Sequence, residues 1–216
     1  MPKLDTNLHL NMLEEGKRLR KGHNTTKDNV YGMEWGNPQT VEPLVYVKEK
    51  FLIPYLSSNT SVLEIGPGGG RWTQYMLETK HIYVVDYHQE ILDELKSNFD
   101  MPNMTFINNN GNDFPDIPEK SIDLLFSFGV FVHLDIDIID NYLKNIKPLL
   151  HKKSNVIIHY SDKTKPMAKR NRSFSDNNPD KMRKLVLSHG YSIYEEDLGT
   201  MWHSSIIRFG ISKNID

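Results

Sequence analysis

The sequence contains no cysteine, so disulfide bonds and thiol chemistry are excluded. It has no apolar run approaching the about twenty residues that a membrane-spanning helix needs. Acidic and basic residues nearly balance, and the formal net charge of −2 argues against a nucleic-acid-binding surface. The first twenty residues are polar and lack the apolar segment of a secretory signal, so we expect a cytoplasmic location.

Short apolar segments alternate with helical patterns along most of the 216 residues. Two consecutive strands at the end replace that alternation, which predicts an α/β fold with a doubly wound, mostly parallel sheet and an antiparallel last strand. We expect an N-terminal helical and loop extension over residues 1–44, with a helix at 7–21, and a sheet domain over 45–216. The predicted strands are 62–65, 82–86, 104–108, 121–127, 154–160, 191–197 and 204–211. The other predicted helices include 40–56, 71–79, 135–150 and 180–189.

The most informative stretch runs from Ser61 to Arg71, where a buried strand leads into a glycine-rich turn. The helix predicted at 71–79 would point its free N–H groups back at that turn. A strand, a glycine turn and a helix in this order are typical of a nucleotide or cofactor site. The dinucleotide fingerprint would require a glycine where Arg71 stands, which disfavours a nicotinamide oxidoreductase.

Acidic residues recur at the ends of the first three predicted strands. Glu64 opens the pattern Glu-x-Gly-x-Gly-x-Gly, and Asp86 lies twenty positions after Gly66, where doubly wound folds place a ribose-binding acid. Asp113 follows the third strand. In this order the pattern resembles the class I S-adenosylmethionine (SAM)-dependent methyltransferases over about residues 45–212. The resemblance implies a Rossmann-like methyltransferase fold with seven strands, with SAM as cofactor and S-adenosylhomocysteine as product.

The resemblance also implies roles for individual residues. Asp86 would accept both ribose hydroxyls, Asp113 would take the adenine amino group, and the N–H of Phe114 would meet the ring. A plain glycine turn, a helix cap at Asp86 and an ordinary Asn/Gly turn are the structural alternatives. The expected cofactor contacts are Glu64, Gly66, Pro67, Gly68, Gly70, Trp72, Asp86, Tyr87, Asn112, Asp113, Phe114, Ser127, Phe128 and Gly129.

The carboxyl edge of the predicted sheet also carries histidines. A histidine is the natural proton acceptor near neutral pH, and His133 after the fourth strand is our candidate catalytic base, with a packing role as the alternative. Tyr31, Met33 and Trp35 form either a lid over the cofactor or a hydrophobic anchor for the N-terminus. The expected substrate contacts are Tyr31, Trp35, His159, Tyr160, Lys163, Arg170, Arg172 and His203. No spacing of acids and histidines indicates a metal site.

Five cations lie within ten residues of a predicted loop, between Lys163 and Arg172, in a chain that is otherwise acidic. We interpret them as contacts to phosphate or carboxylate on the substrate, against the alternative of a solvated loop. The stretches 35–38, 64–73, 126–134 and 158–163 resemble bacterial methyltransferases of surface-polysaccharide synthesis, which implies O-methylation of a small anionic acceptor: a sugar, sugar nucleotide or phosphorylated glycan. A small-molecule N-methyltransferase and a non-catalytic SAM-binding protein remain the alternatives.

Overall fold

The computed structural model describes residues 30–111 and 113–212 of the chain. The predicted helix at 7–21 and Asn112 therefore lie outside the described residues, and the division into 1–44 and 45–216 stays a prediction. The strands are β1 (Ser61–Ile65), β2 (His81–Asp86), β3 (Met104–Asn108), β4 (Ile122–Ser127), β5 (Leu150–Ser161), β6 (Tyr191–Asp197) and β7 (Ser204–Ile211). The helices are α1 (Glu42–Phe51), α2 (Gln89–Asn98), α3 (Ile136–Ile146), α4 (Pro166–Arg170) and α5 (Pro179–Ser188), with 3₁₀ turns at Met33–Trp35, Ile53–Tyr55, Thr73–Tyr75 and Lys147–Leu149.

The strands form one seven-stranded sheet in the order β3-β2-β1-β4-β5-β7-β6. The pairs from β3 to β5 are parallel, whereas β7 is antiparallel to both of its neighbours. This arrangement confirms the predicted α/β fold. Because strand order reverses between β1 and β4, the sheet has a crevice beyond the carboxyl ends of these two strands, where open α/β sheets bind ligands.

Two apolar layers cover the sheet. On one face, Leu63 of β1 packs in a cluster with Leu143 of α3 and Val186 of α5. On the other face, Val62 belongs to a cluster with Val47 of α1 and Leu95 of α2. Every residue of β1 is buried, including the polar Ser61 and Glu64, so the strand does not alternate between buried apolar and exposed polar residues.

The helix predicted at 71–79 is wrong. Only the 3₁₀ turn Thr73–Tyr75 forms there, and local side-chain hydrogen bonds replace helical ones. The amide of Gln74 donates to the carbonyl of Arg71 at 2.8 Å, and the hydroxyl of Thr73 donates to the carboxyl of Glu64 at 2.6 Å. The glycine turn therefore has no helix N-terminus behind it, and any ligand there must be held by side chains and by the turn itself.

Other predicted bounds also differ from the structure. The helix predicted at 40–56 ends at Phe51 and is followed by the 3₁₀ turn that holds Pro54, and the helix predicted to reach 150 changes to a 3₁₀ turn at Pro148. Strand β5 begins at Leu150, four residues early. The loop predicted at 161–179 contains the short helix α4. None of these changes alters the order of the strands.

The Gly70→Ala substitution tests the turn. Gly70 has a φ of +104°, and an added Cβ would lie 2.3 Å from a ring carbon of the buried Phe99. We expect the free energy of unfolding to fall by roughly 2–4 kcal/mol in urea denaturation. Gly199→Ala is the matched control, because no atom lies within 4 Å of its added Cβ, and it should change stability by less than about 0.5 kcal/mol. Equal stabilities for the two variants would contradict this account of the turn.

Candidate active site

A cavity of about 430 Å³ opens at the carboxyl edge of the sheet. Its walls come from the segment before α1, the turn after β1, the ends of β4 and β5, and the chain just before β7. It therefore coincides with the crevice that the strand order predicts. The structure brings twelve predicted site residues together there: Tyr31, Trp35, Gly66, Pro67, Gly68, Trp72, Asp86, Phe128, Gly129, His133, His159 and His203.

The glycine turn presents bare backbone to the cavity. Gly66 has a φ of +70°, and a Cβ there would lie 2.0 Å from Cγ2 of Val130. At the end of β2, the largely buried Asp86 also faces the cavity, and its Oδ1 accepts the backbone N–H of His88 at 2.9 Å. This hydrogen bond orients the carboxylate, and among the described residues Oδ2 has no hydrogen-bond partner.

Arg71 is a cavity residue that the sequence reasoning missed. Its guanidinium lies 5.7 Å from the ring centroids of both Trp72 and Phe128, and Nη1 donates to the carbonyl of Gly36 at 3.3 Å. Burial lowers the pKa of Arg71 to about 10, with the charge of Glu34 opposing the shift, so the side chain remains a cation near neutral pH. No ion pair joins it to a carboxylate within residues 30–111 and 113–212, and a buried cation of this kind favours an anionic ligand.

The three cavity histidines differ in their hydrogen bonds. Nδ1 of His133 lies 2.9 Å from the carbonyl oxygen of Ser173, and burial lowers the pKa of His133. His159 accepts the N–H of Gly129 at 3.1 Å and stacks on Phe128 with ring centroids 4.0 Å apart. Nδ1 of His203 lies 2.8 Å from Oγ of Ser204.

Several predicted cofactor residues lie away from the cavity. Glu64 is buried beneath the turn and bonded to Thr73, and Ser127 donates to the carbonyl of Ile65 at 2.9 Å. Asp113 accepts the N–H of Asn110 within its own loop. Gly70 faces the ring of Phe99, Phe114 packs against the core, and Tyr87 is 41% exposed at the surface.

The cationic loop is built differently from the prediction. The amine of Lys163 donates to the carbonyls of Ala168 and Asn171, at 2.7 and 2.8 Å, so it stabilises the loop. Tyr160 is fully buried in the core and does not reach the cavity. Arg170 and Arg172 are exposed and absent from the cavity wall.

The same loop supplies wall residues that the sequence reasoning missed. Asn171, Ser173 and Phe174 line the cavity, and Met201 joins them from the chain before β7. Their only sequence signal is their position after β5 or before β7, at the edge where ligands bind.

Two findings concern the described part of the chain only. No three histidine, aspartate or glutamate side chains converge in a metal-binding arrangement within residues 30–111 and 113–212. Every helix in those ranges is too short or too polar to span a bilayer.

Comparison with known families gives the site its context. Residues 62–153 match the model of a methyltransferase domain, and this segment contains the glycine turn, Asp86 and His133. The match and the fold support a class I SAM-dependent methyltransferase. The same findings support SAM as the cofactor. A search of curated protein sequences finds no match.

Solved methyltransferases share the fold. Magnesium protoporphyrin IX methyltransferase from Synechocystis PCC 6803, with bound SAH, is 15% identical at a TM-score of 0.64, covering 92% of this chain and 94% of its own. A TehB-like SAM-dependent methyltransferase from Corynebacterium glutamicum is 15% identical at 0.63, covering 96% and 100%. The CcbJ methyltransferase from Streptomyces caelestis is 13% identical at 0.64, covering 83% and 100%. At these identities the likeness establishes the methyltransferase fold.

Glu64 gives the ligand-free protein a characteristic pH dependence of stability. Burial raises the pKa of Glu64 from 4.5 to about 7, although the hydrogen bond from Thr73 opposes the shift. A raised pKa means that the folded state binds the proton more tightly, so stability is highest below about pH 4.5 and falls as pH rises through 7. Between pH 4.5 and 7, the free energy of unfolding of the wild type should fall by up to roughly 3 kcal/mol because of Glu64, and we expect this fall to be absent in Glu64→Gln.

Urea denaturation from pH 4.5 to 8.5 measures this difference. The exposed Glu78→Gln is the matched control and should follow the wild-type curve. Parallel curves for wild type and Glu64→Gln would show that Glu64 is not held in its protonated form.

Proposed function

We propose that this methyltransferase transfers the methyl group of SAM to a hydroxyl oxygen of a small anionic acceptor, namely a sugar, a sugar nucleotide or a phosphorylated glycan group, with His133 as the base. One observation carries the proposal: Nδ1 of His133 is bonded to the carbonyl of Ser173 at 2.9 Å, at a cavity that Gly66, Gly68 and Asp86 also line.

The cavity residues fit SAM group by group. Among the described residues, Asp86 at the end of β2 has one carboxylate oxygen without a hydrogen-bond partner, which can accept the ribose hydroxyls. Gly66 and Gly68 let the methionine portion lie directly on the backbone. The buried guanidinium of Arg71 provides the countercharge for the SAM carboxylate. Phe128 and Gly129 line the same cavity and both contact His159.

His133 has the tautomer that a base requires. A carbonyl oxygen only accepts hydrogen bonds, so the Ser173 contact places the ring proton on Nδ1. Since burial lowers the pKa of His133, the ring is neutral at pH 7 and Nε2 keeps its lone pair. The edge of the Phe174 ring, at a centroid distance of 5.4 Å, restrains the imidazole.

The reaction needs positioning and the removal of one proton. Bound SAM supplies an electrophilic methyl group on its sulfonium. As the acceptor oxygen bonds to that carbon and the carbon–sulfur bond breaks, Nε2 of His133 takes the hydroxyl proton, leaving a methyl ether and a protonated histidine. The rings of Trp72 and Phe128 exclude water from the side of the cavity nearest Arg71.

The anionic character of the acceptor rests on charge at the edge of the cavity. Asn171 lines the wall, and the exposed Arg170 and Arg172 flank it in the chain. This pair supports recognition of a phosphate that projects from the cavity. The fold is shared with the glycopeptide N-methyltransferase MtfA, at 10% identity and a TM-score of 0.60, so amines belong in the same acceptor screen.

Calorimetric titration tests the SAM site. Arg71→Gln and Asp86→Asn each remove one charge-assisted contact, so the Kd for SAM should rise roughly 10- to 100-fold. The exposed Lys80→Gln is the control and should bind SAM as the wild type does. If both cavity variants kept the wild-type Kd, SAM would not lie between Arg71 and Asp86.

Turnover tests the reaction. Formation of SAH is measured with glucose, glucose 1-phosphate, UDP-glucose and a panel of further sugars, sugar phosphates and primary amines. We expect turnover with sugar phosphates or sugar nucleotides, and a kcat roughly 10²- to 10⁴-fold lower in His133→Gln with the Kd for SAM unchanged. His151→Gln, at a histidine paired with Asp123 and outside the cavity wall, is the control. Turnover of amines alone would replace the O-methylation proposal with N-methylation.

The same assay also tests the pH dependence of turnover and the role of the two arginines. Because His133 must be neutral to act, kcat/KM should fall as the pH drops through its lowered pKa, below the ordinary histidine range. Replacing Arg170 and Arg172 with glutamine should raise KM for phosphorylated acceptors and leave the Kd for SAM unchanged. An unchanged KM would remove the proposed phosphate contact.

A further inference from the structure

A chain of hydrogen bonds in the cavity wall determines the tautomer of His159. The backbone N–H of Gly129 donates to Nδ1 of His159 at 3.1 Å, so this nitrogen carries no proton. Burial, with smaller effects of His203, Arg71, His133 and Lys165, holds the pKa of His159 well below its ordinary value. The ring is therefore neutral, and its single proton is on Nε2.

The chain continues to His203 through one hydroxyl group. Nε2 of His159 donates to Oγ of Ser204, which leaves the hydroxyl hydrogen free for another acceptor. Nδ1 of His203 lies 2.8 Å from that oxygen and accepts the hydrogen bond from its hydroxyl hydrogen. Burial and the charge of Lys165 lower the pKa of His203, so this ring is also neutral and carries its proton on Nε2.

We call this hydrogen-bonded chain of His159, Ser204 and His203 the relay, and other contacts hold it in place. The amine of Lys165 donates to the carbonyls of Met201 and Ser204, at 2.8 and 2.6 Å, on either side of His203. Phe174 packs edge-on against both His203 and His133, with ring centroids 5.2 and 5.4 Å away. Both imidazoles therefore contact one aromatic ring in the cavity wall.

The two imidazoles present opposite hydrogen-bonding groups. His133 carries its proton on Nδ1 and offers a lone pair at Nε2, whereas His203 offers an N–H at Nε2. Within the described part of the chain, Nε2 of His203 has no hydrogen-bond partner. A ligand that satisfies both side chains must donate one hydrogen bond and accept another, at two imidazoles that lie against the same ring of Phe174.

We infer that His203 donates a hydrogen bond to the acceptor substrate. His159 and Ser204 are positioning residues that hold the tautomer of His203. The substrate carries a second oxygen close to the hydroxyl that His133 deprotonates. The inference rests on the proposed function and narrows it. Neighbouring oxygens of this kind occur in sugars and other polyols, whereas an isolated alcohol or a simple amine offers only one partner.

Nitrogen-15 NMR of histidine-labelled protein tests the relay without any acceptor. At pH 7.5, His159 and His203 should show a protonated Nε2, and His133 a protonated Nδ1. Ser204→Ala should convert His203 to a mixture of tautomers and leave His133 unchanged. Ser205→Ala is the matched control, because its hydroxyl donates to Asp162 and not to a histidine. A protonated Nδ1 on His203 in the wild type, or the same His203 signals in Ser204→Ala, would overturn the relay.

Steady-state kinetics test the contact with substrate, using the sugar phosphate or sugar nucleotide of highest turnover in the acceptor screen. His203→Phe keeps a ring but removes the donor, so KM should rise at least about tenfold while kcat changes less than about threefold. His203→Gln keeps an N–H donor and should recover most of the wild-type KM. An unchanged KM in His203→Phe would overturn the contact. Absence of turnover in the wild type would instead contradict the proposed function, and the tautomers measured by NMR would still decide the relay.

Discussion

The cavity depends on the close approach of two backbone segments at the turn after β1. The N–H of Gly69 donates to the carbonyl of Tyr31 at 3.0 Å, and a Cβ at Gly69 would lie 2.5 Å from the nitrogen of Tyr31. A side chain at this position would separate the segments. Their contact places Tyr31 and Trp35 in the cavity wall, and it brings the carbonyl of Gly36 to the guanidinium of Arg71. The surface that we propose to face SAM is therefore assembled from both segments.

The sheet could be predicted from sequence because its strands have strong and simple signals. The central strands β1 and β4 are almost entirely buried and read as short, mostly apolar runs. The bounds of β3, β6 and β7 also match the predicted ones. The prediction of a helix after the glycine turn failed for a different reason. Gln74 and Thr73 bond to Arg71 and Glu64 through their side chains, and such local bonds compete with helical ones without changing the apolar pattern.

The site was predictable where backbone position alone decides it. Glycines of the turn and residues at strand ends, such as Gly66, Asp86 and His133, lie in the cavity because topology places them there. The direction of a long side chain is not encoded in the same way. Lys163 folds back onto carbonyls of its own loop, whereas Arg71 lines the cavity beside the rings of Trp72 and Phe128, and nothing in the local sequence distinguishes these outcomes.

The antiparallel direction of β7 has a consequence for how such an enzyme diversifies. A parallel strand would bring its last residues to the ligand edge, but β7 brings its first, Ser204 and the preceding His203. The segments carrying Phe174 and His203 follow residue 153, where the family match ends, while the glycine turn and Asp86 lie within the match. If the proposed function holds, selection for a new acceptor can therefore remodel the C-terminal third of the chain while methyl-donor binding stays intact.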